Sequence, residues 1–575
     1  MPAGTLKAAG WEHLARNFPD SEVVVALLGI CQYGARIGYE SVCSAVTIHS
    51  NLSTANDDPA LVTAEIISEI KRGRLEVYPN RASLPNNYTA SPIGLTDKSD
   101  GSKRRIHHLS YPAGDSSSIN DGIPPEYGVI KYSNIDDAIL AIQTLGRDCI
   151  LVKRDFESAF RHIPVSPLDT PLIGFHWAGE YYAERFLPFG LRTAPYIFNL
   201  FAEVFHWILE DKLHHANPNI TIIHYLDDFL MVLPRTGNLE SCTETFERLC
   251  FEVGLSIKEC KNEQGTLACF GGIELDTAKM VIRLPEKKLH KARKIIKQAV
   301  AWKSVSLLDL QKITGYFNFI STVIPLGRTF LRRLYNMEAY FPPGSSHSKR
   351  RLSREAQKDL AWWSQVLRHS PERSITLKKR EVILAWSDAS STKGLGAFYL
   401  SGTEMTPRPE AAFAISIPGY LAKVHEHINT QEMRAVEQVL LYWGRQWKGK
   451  RLIIHTDNRA VAHALANRSI RGAPMQVLRR TLLLAADYDL ELEAIWISTK
   501  DNTLADALSR MDWDRIANLA PQLISPSCNL RKLGFLTSSN RDSLQAPHTI
   551  SGVALHPQQE ETTTHQGLAS QPSVL

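Results

Sequence analysis

The chain has 575 residues, 44% of them hydrophobic, and carries 65 Lys plus Arg against 60 Asp plus Glu, a formal charge of +5. At roughly 100–200 residues per domain this length excludes a single core, and so mild a charge excludes a global polyanion-binding field, so any nucleic-acid site must be a local concentration of cations. Eight cysteines without a C-x-x-C pair argue against disulfides and structural zinc and for reduced thiols in an intracellular compartment, cytoplasm or nucleus, and the start of the chain lacks a secretory pattern.

Residues 1–80 read as an N-terminal extension without catalytic signals. It holds one apolar run, Val23 to Ile30, the glycine-punctuated stretch Gly34 to Glu40, and a helix over Pro59 to Lys71. In that helix Leu61, Ala64, Ile67 and Ile70 recur at helical spacing on the side opposite Glu65 and Glu69. Ser91 to Tyr111 then reads as a hairpin: a strand, a Gly/Ser/Asp turn carrying Lys98, and a second strand opening with Lys103, Arg104 and Arg105. Cations concentrated in this way suit phosphate oxygens, although standing alone a solvated basic turn is the simpler explanation.

Three acids follow in apolar settings. Ile150, Leu151 and Val152 form a strand ending at Asp155, and a helical turn begins at Ser158, Ala159 and Phe160. Leu187 to Asn199 is a loop bracketed by Gly190 and Pro195 that leads into an amphipathic helix, Tyr196 to Leu209. His224 to Leu233 places Asp227 and Asp228 at a turn between two apolar strands. Desolvating a like-charge pair either raises its pKa or calls for a cation. Two adjacent acids alone fit a surface turn equally well. With Asp155 they make a cluster of three, suited to two metal ions about 3.5–4 Å apart, one activating a 3′ hydroxyl and one neutralising pyrophosphate.

Beyond this region, Leu284 to Trp302 predicts a helix starting at Pro285, with Leu289, Ala292, Ile295, Ile296 and Ala299 as an apolar stripe. Lys287, Lys288, Lys291, Arg293, Lys294 and Lys297 cover its other faces, a phosphate-backbone contact or a merely solvated surface. Ser306 to Tyr335 gives a second helical pair, and Ser345 to Arg354 a basic linker. From Lys379 a second catalytic unit is expected: Asp388 at a strand end, Glu432 in a helix over Thr430 to Tyr442, Asp457 at another strand end and Asp506 on a helix. Any one of these is equally a cap or a surface acid; four from separate elements suit two-metal phosphodiester hydrolysis. The tail from about Ser538 is rich in Ser, Thr, Gln and His and is expected to be disordered.

YLDD at Tyr225 to Asp228, DFESAF at Asp155 to Phe160 and LPFGLRTAP from Leu187 agree in order and spacing with reverse transcriptase motifs. The chain resembles a retrotransposon reverse transcriptase with a fused RNase H. The wording IHHLSYP, with GRTFLRRL at Gly327 to Leu334, is most similar to DIRS-type tyrosine-recombinase elements, with gypsy-like elements next. The resemblance implies an α+β chain: a right-hand polymerase with fingers, palm and thumb, then an RNase H-like α/β domain. Its parts are 1–80 extension, 81–276 fingers and palm, 277–344 thumb-like helices, 345–378 linker, 379–512 RNase H-like domain and 513–575 mostly disordered tail. It implies Asp155, Asp227 and Asp228 as polymerase metal ligands, and Asp388, Glu432, Asp457 and Asp506 as ribonuclease ligands. Lys98 and Arg105 would contact the incoming triphosphate, Phe189 and Gly190 would lie in the nucleotide-binding loop, and Phe270 to Asp276, FGGIELD, would form the primer grip.

At Phe160 the family stacks an aromatic ring under the sugar, leaving no room for a 2′ hydroxyl; a core phenylalanine is the plain alternative. Magnesium, two ions per site with manganese as substitute, is the implied cofactor. An RNA template, a DNA primer, RNA–DNA hybrid and dNTPs are the implied partners, and no membrane is involved, since no apolar run approaches the roughly 18 residues of a spanning helix.

Two departures stand out. Phe189 occupies a position where retroviral enzymes usually carry Gln, and Trp496 and Thr499 stand where RNase H domains usually carry histidine and glycine, with Asn502 retained. Without the titratable histidine, cleavage is expected to survive but run slowly, and Trp496→His to speed it. The resemblance covers roughly residues 20–512, leaving no room for capsid, protease, integrase or recombinase parts. The rival readings are an inactive, nucleic-acid-binding transposon descendant and a chain in which only the ribonuclease works.

Overall fold

Two stretches of the chain, Met1–Val281 and Ile282–Leu575, each close on their own contacts. The computed structural model describes residues 6–43, 45–97, 101–112, 117–342, 348–376, 379–400, 409–417, 426–523 and 530–532.

In the first unit the run around Val23 to Ile30 is helical. Ala8–Ala15 (α1) is followed by Ser21–Tyr33 (α2), whose first turn is closed by Asp20 accepting from the amides of Glu22 and Val23. Pro59–Lys71 (α3) has the expected bounds, with Asp58 as its cap. Its inward face differs from the expected one: Val62 and Ile66 are buried, whereas Ile67 is 47% exposed. Glu65 and Glu69 lie on the inward side, Glu65 accepting from the Arg105 amide and Glu69 pairing with Arg74 and Arg161. Buried arginines pull that helix round, because an unpaired guanidinium costs more than an exposed isoleucine.

Ile93–Asp97 (β1) and Lys103–His107 (β2) form the predicted hairpin in antiparallel register. Ile135–Leu145 (α4) precedes Ile150–Asp155 (β3), and Gly174–Trp177 (β4) and Glu180–Glu184 (β5) make a second hairpin. The predicted helix of the LPFG segment runs longer than expected, Ala194–His214 (α5). Thr221–Tyr225 (β6) and Asp228–Leu233 (β7) flank the acidic turn, Leu239–Val253 (α6) follows, and Glu263–Gly265 (β8) completes a four-stranded antiparallel sheet of order β8-β3-β7-β6. Helices α5 and α6 contribute to a core of phenylalanines packed mostly edge to face, Phe156, Phe198, Phe205, Phe229 and Phe246. That ring cluster fixes the sheet from behind, so the ends of β3 and β7 are a rigid platform.

In the second unit Glu286–Val300 (α7) follows Pro285 and buries Leu289, Ala292, Ile296 and Ala299 of its predicted stripe, with Ile295 half-buried, and Leu307–Ile320 (α8) packs against it. The linker expected over 345–378 includes a helix, Arg354–Val366 (α9), with Leu360 and Trp363 buried and Asp359 bound by Arg479 and Arg333. The apolar side chains of its AWW segment need cover, and a linker gives none.

Val382–Ala389 (β9), Gly394–Leu400 (β10) and Pro409–Ser416 (β11) run antiparallel; Arg451–Thr456 (β12) and Glu491–Trp496 (β13) add in parallel on the other side of β9. With Leu530–Lys532 (β14) the order is β13-β12-β9-β10-β11-β14. Ile428–Trp443 (α10) and Pro474–Asp487 (α12) share one core with this sheet, joined by Arg459–Asn467 (α11), while Thr503–Arg510 (α13) and Trp513–Leu519 (α14) share a second. A Cβ at Gly396 would lie 2.3 Å from the Ser509 amide, so only glycine lets α13 approach β10 so closely. The mixed α and β architecture is the one expected. Among the described residues no helix is long and apolar enough to cross a membrane. The expected disordered tail from about Ser538 lies outside the described residues.

Candidate active sites

The β3–β7 register sets Asp155 directly opposite Asp228. Asp227 sits in the turn between β6 and β7, where Leu226 adopts φ of +55° and the Phe156 amide donates to the Asp227 carbonyl at 3.1 Å. The three acids singled out in the sequence thus lie together at one sheet end. Sequence reasoning missed the two cations among them. Lys153, two residues before Asp155 and hence on the same strand face, puts Nζ 3.3 Å from Asp228 Oδ1, and Lys261 donates to Asp155 Oδ2 at 2.6 Å. The glycine turn of FGGIELD contributes the Gly271 amide, 3.4 Å from Asp228 Oδ2.

Burial pushes Asp227 up, with the Asp155 charge adding to it; burial lifts Asp228 to about 6 against the pull of Lys153. The alternation of Lys and Asp along β3 was a readable signal for Lys153, but Lys261 is distant in sequence and only the fold brings it in.

The residues expected on the nucleotide side are distributed unevenly. Lys98 lies outside the described residues. Arg105 is not available on the surface: its guanidinium donates to Glu184 at 3.3 Å, lies 4.6 Å over Phe175, and its side chain is only 6% exposed. Glu184 is fully buried between Arg105 and Arg161; burial alone would raise it, but the two guanidiniums hold it at about 2. Strand alternation turns Arg104 the other way, and it is exposed.

Phe160 is half-buried, its ring 5.2 Å from Phe189 and 6.0 Å from Phe198, and Phe189 is 54% exposed, so the two rings form a partly open aromatic edge. Gly190 has φ of +98°, and a Cβ there would come within 2.6 Å of the His107 carbonyl. Asn120, which the sequence did not single out, holds this loop by donating to the Gly190 carbonyl and accepting from the Arg192 amide, both at 2.8 Å.

In the second unit, Asp388, Glu432 and Asp457 offer oxygens that all lie within 4.8 Å of one another, the one such set of three among the described residues. Asp388 comes from β9, Glu432 from the first turns of α10, and Asp457 from the residue after β12. Glu432 Oε2 is buried with no hydrogen-bond partner among the described residues. Burial, with Asp388 and Asp457 adding repulsion, raises Glu432 to about 9; burial raises Asp388 to about 6 despite a hydrogen bond from Ser509.

Asp506 departs from the expected tetrad. Its oxygens are taken by Arg510 at 2.6 Å and Arg515 at 2.5 Å, and these bonds hold it below the usual carboxylate range against its burial. Asn502, 1% exposed, donates to the Ser387 carbonyl and ties α13 to β9. Trp496 is not a vacant histidine position: its indole Nε1 donates to the Asp457 carbonyl at 3.0 Å.

An all-carboxylate donor set with one orphaned buried oxygen fits a hard divalent cation, and a carboxylate triad is present for it in the second unit. The first site fits less tightly, since Lys153 and Lys261 already answer part of its charge.

Residues 107–304 match the family described as reverse transcriptase (RNA-dependent DNA polymerase). The Gag-Pro-Pol polyprotein of human T-cell leukemia virus 3 (strain Pyl43) is 25% identical over 255 residues, 43% of this chain and 16% of that protein. Protein P of heron hepatitis B virus is 20% identical over 169 residues, 29% of this chain and 21% of that protein. The chain therefore spans about a fifth or less of these curated relatives. A solved foamy viral protease-reverse transcriptase in complex with RNA/DNA hybrid superposes with a TM-score of 0.43 at 16% identity, covering 85% of this chain and 62% of that one.

Proposed function

We propose that the chain is the reverse transcriptase of a retroelement, an RNA- and DNA-templated DNA polymerase joined to a ribonuclease that degrades the RNA strand of the hybrid. The observation that carries it is the register pairing Asp155 with Asp228, with Asp227 in the turn, inside the stretch that matches the reverse transcriptase family. The wording IHHLSYP and GRTFLRRL supports assignment to a DIRS-type element, with gypsy-like elements next.

In this reading Asp155, Asp227 and Asp228 hold magnesium or manganese in the polymerase, and Asp388, Glu432 and Asp457 hold it in the ribonuclease, with Asp506 joining once released by its arginines. Bound divalent cations supply activation of the attacking oxygen and neutralisation of the leaving group. The remaining work falls to the chain. Gly190 and Asn120 hold the nucleotide loop against the β1–β2 hairpin, the exposed Arg104 replaces Arg105 as the triphosphate contact, and Phe160, backed by Phe198 and touching Phe189, fills the space a 2′ hydroxyl would need. The partners are a primed RNA or DNA template, RNA–DNA hybrid and dNTPs.

A second reading, a polymerase with an idle ribonuclease, is favoured by the clasp of Arg510 and Arg515 on Asp506. Incubating the purified chain with a primed RNA template, dNTPs and magnesium tests both. Primer extension with RNA cleavage supports the full proposal, extension alone supports the second, and neither overturns both.

A further inference from the structure

We propose that Arg459, held over the ring of Trp496, is a phosphodiester-binding residue of the ribonuclease site, gripping the RNA backbone beside the carboxylate cluster. The proposal rests on the ribonuclease reading and deepens it.

Three observations lead to it. Trp496 is the last residue of β13 and pairs in register with Thr456, the residue before Asp457. Its indole bond to the Asp457 carbonyl fixes the ring beside the cluster while leaving it 43% exposed. Arg459 opens α11 two residues after Asp457, and its guanidinium carbon lies 4.2 Å from the centre of that ring.

The partners of Arg459 are as telling as its position. Several arginines of this domain are clasped by acids: Arg510 and Arg515 by Asp506, Arg434 by Glu426, Arg451 by Glu493 and Arg480 by Glu437. Among the described residues no carboxylate forms an ion pair with Arg459, which is exposed. An arginine stacked on an aromatic face keeps its fork of donors directed outward in a restricted set of orientations, the geometry that suits bidentate binding of a phosphate.

A cation is also what this place requires. Asp388, Glu432 and Asp457 crowd three carboxylates together, so a phosphodiester approaching them meets like charge, and Arg459, two residues after Asp457, offers a cation at that edge. Tryptophan at position 496 therefore has a task of its own: it cannot carry a proton, but its broad face and its N–H together fix a cation at the cluster's edge.

The test uses the full chain with Asp388→Asn, expected to bind hybrid without cutting it. Hydroxyl-radical footprinting of an RNA–DNA hybrid should show a protected RNA patch separate from the one covering the polymerase. Arg459→Ala should lose that patch alone, Arg459→Lys should keep part of it, and Trp496→Ala should lose it while Trp496→Phe retains it. In the cleavage-competent chain, single-turnover cutting should fall about tenfold with Arg459→Ala. A methylphosphonate replacing the contacted phosphate should slow the natural protein by a similar factor and leave Arg459→Ala no slower, because the same contact is already gone.

An unchanged footprint in Arg459→Ala, or additive losses from the variant and the neutral phosphate, overturns the proposal. Footprint loss with Arg459→Ala but not with Trp496→Ala overturns the role of the ring. Because footprinting needs no turnover, a natural chain that fails to cut defeats the ribonuclease reading without deciding this one.

Discussion

The two acidic clusters solve the same electrostatic problem in opposite ways. In the first unit Asp155 and Asp228 each face a lysine, Lys261 at 2.6 Å and Lys153 at 3.3 Å, and among the described residues there no three ligating groups offer oxygens within 4.8 Å of one another. In the second unit three acids converge within that distance, the nearby cations Arg510 and Arg515 are spent on Asp506, and Glu432 keeps an orphaned oxygen. An internally balanced cluster stays folded and spread without metal. An unbalanced one stores repulsion that only a proton or an added cation relieves.

The sharpest way to break the comparison is to remove one acid from each cluster. Asp155→Asn should reduce DNA synthesis by roughly 10³-fold or more while RNA cleavage persists, and Asp388→Asn should do the reverse, on the scale seen when one electrostatic contact to a reacting centre is lost. Extension by the Asp155 variant near the natural rate would remove the polymerase assignment.

Next in size is the hairpin arginine pair. Arg105→Ala leaves Glu184 buried with one fewer counter-charge and should destabilise the first unit by about 3–5 kcal/mol, whereas Arg104→Ala should leave stability unchanged and raise KM for dNTPs. Denaturant melts and steady-state kinetics separate the two. Glu184 also fixes a pH dependence: its carboxyl is held at about 2 when folded against an ordinary 4.5, so the unfolded chain binds more protons between those values. The stability it contributes is present above pH 4.5 and lost as pH falls from there through 2.

The second cluster runs the other way. Glu432 titrates near 9 folded and 4.5 unfolded, so in metal-free protein the folded state binds more protons and stability falls as pH rises from 4.5 through 9. Magnesium at a hundred times its Kd should return roughly 2.7 kcal/mol at high pH. Glu432→Gln should flatten both the pH slope and the metal increment in thermal melts; an unchanged increment would place the metal elsewhere.

How much of this was legible beforehand follows from what periodicity reports. The acids, the strands that carry them and helices α3, α7 and α10 were readable because each depends on neighbours in sequence. Lys261 reaching Asp155, Asn120 holding Gly190 and Asp359 meeting Arg479 depend on contacts across 70 residues or more, which no local pattern encodes. The α3 face was read from polarity, on the premise that charge faces water, and a buried network of Arg105, Arg161, Glu69 and Glu184 reverses it. The family motif pointed to Arg105 when the strand's two-residue alternation leaves Arg104 exposed.

A smaller effect tests the aromatic edge. Phe160→Val removes the ring between Phe189 and Phe198 and should lower discrimination against rNTPs about 10–100-fold with a modest loss of dNTP incorporation, since a single cavity-sized difference is worth about that much. Competition assays read it directly; unchanged discrimination would leave Phe160 a core residue.

The smallest effect concerns α7, where three lysines sit in unequal settings. Lys288 Nζ lies 4.3 Å from the centre of Phe319, Lys291 Nζ 5.0 Å from that of Tyr316, and Lys294 is exposed. The two stacked lysines also help seat α8, whose Tyr316 hydroxyl donates to the Lys288 carbonyl at 2.9 Å. Each phosphate contact contributes about 0.9 to the slope of log affinity against log salt for duplex DNA. Lys294→Gln should therefore lower the slope by about one contact and leave the melting temperature alone. Lys288→Gln should lower it less and cost some stability, because part of its interaction is with the ring rather than with phosphate. Binding titrations on a primed duplex across a salt series, run beside thermal melts, distinguish the two. A triple glutamine variant with the natural slope would assign all three lysines to solvent and leave the first unit's cations as the seat of backbone affinity.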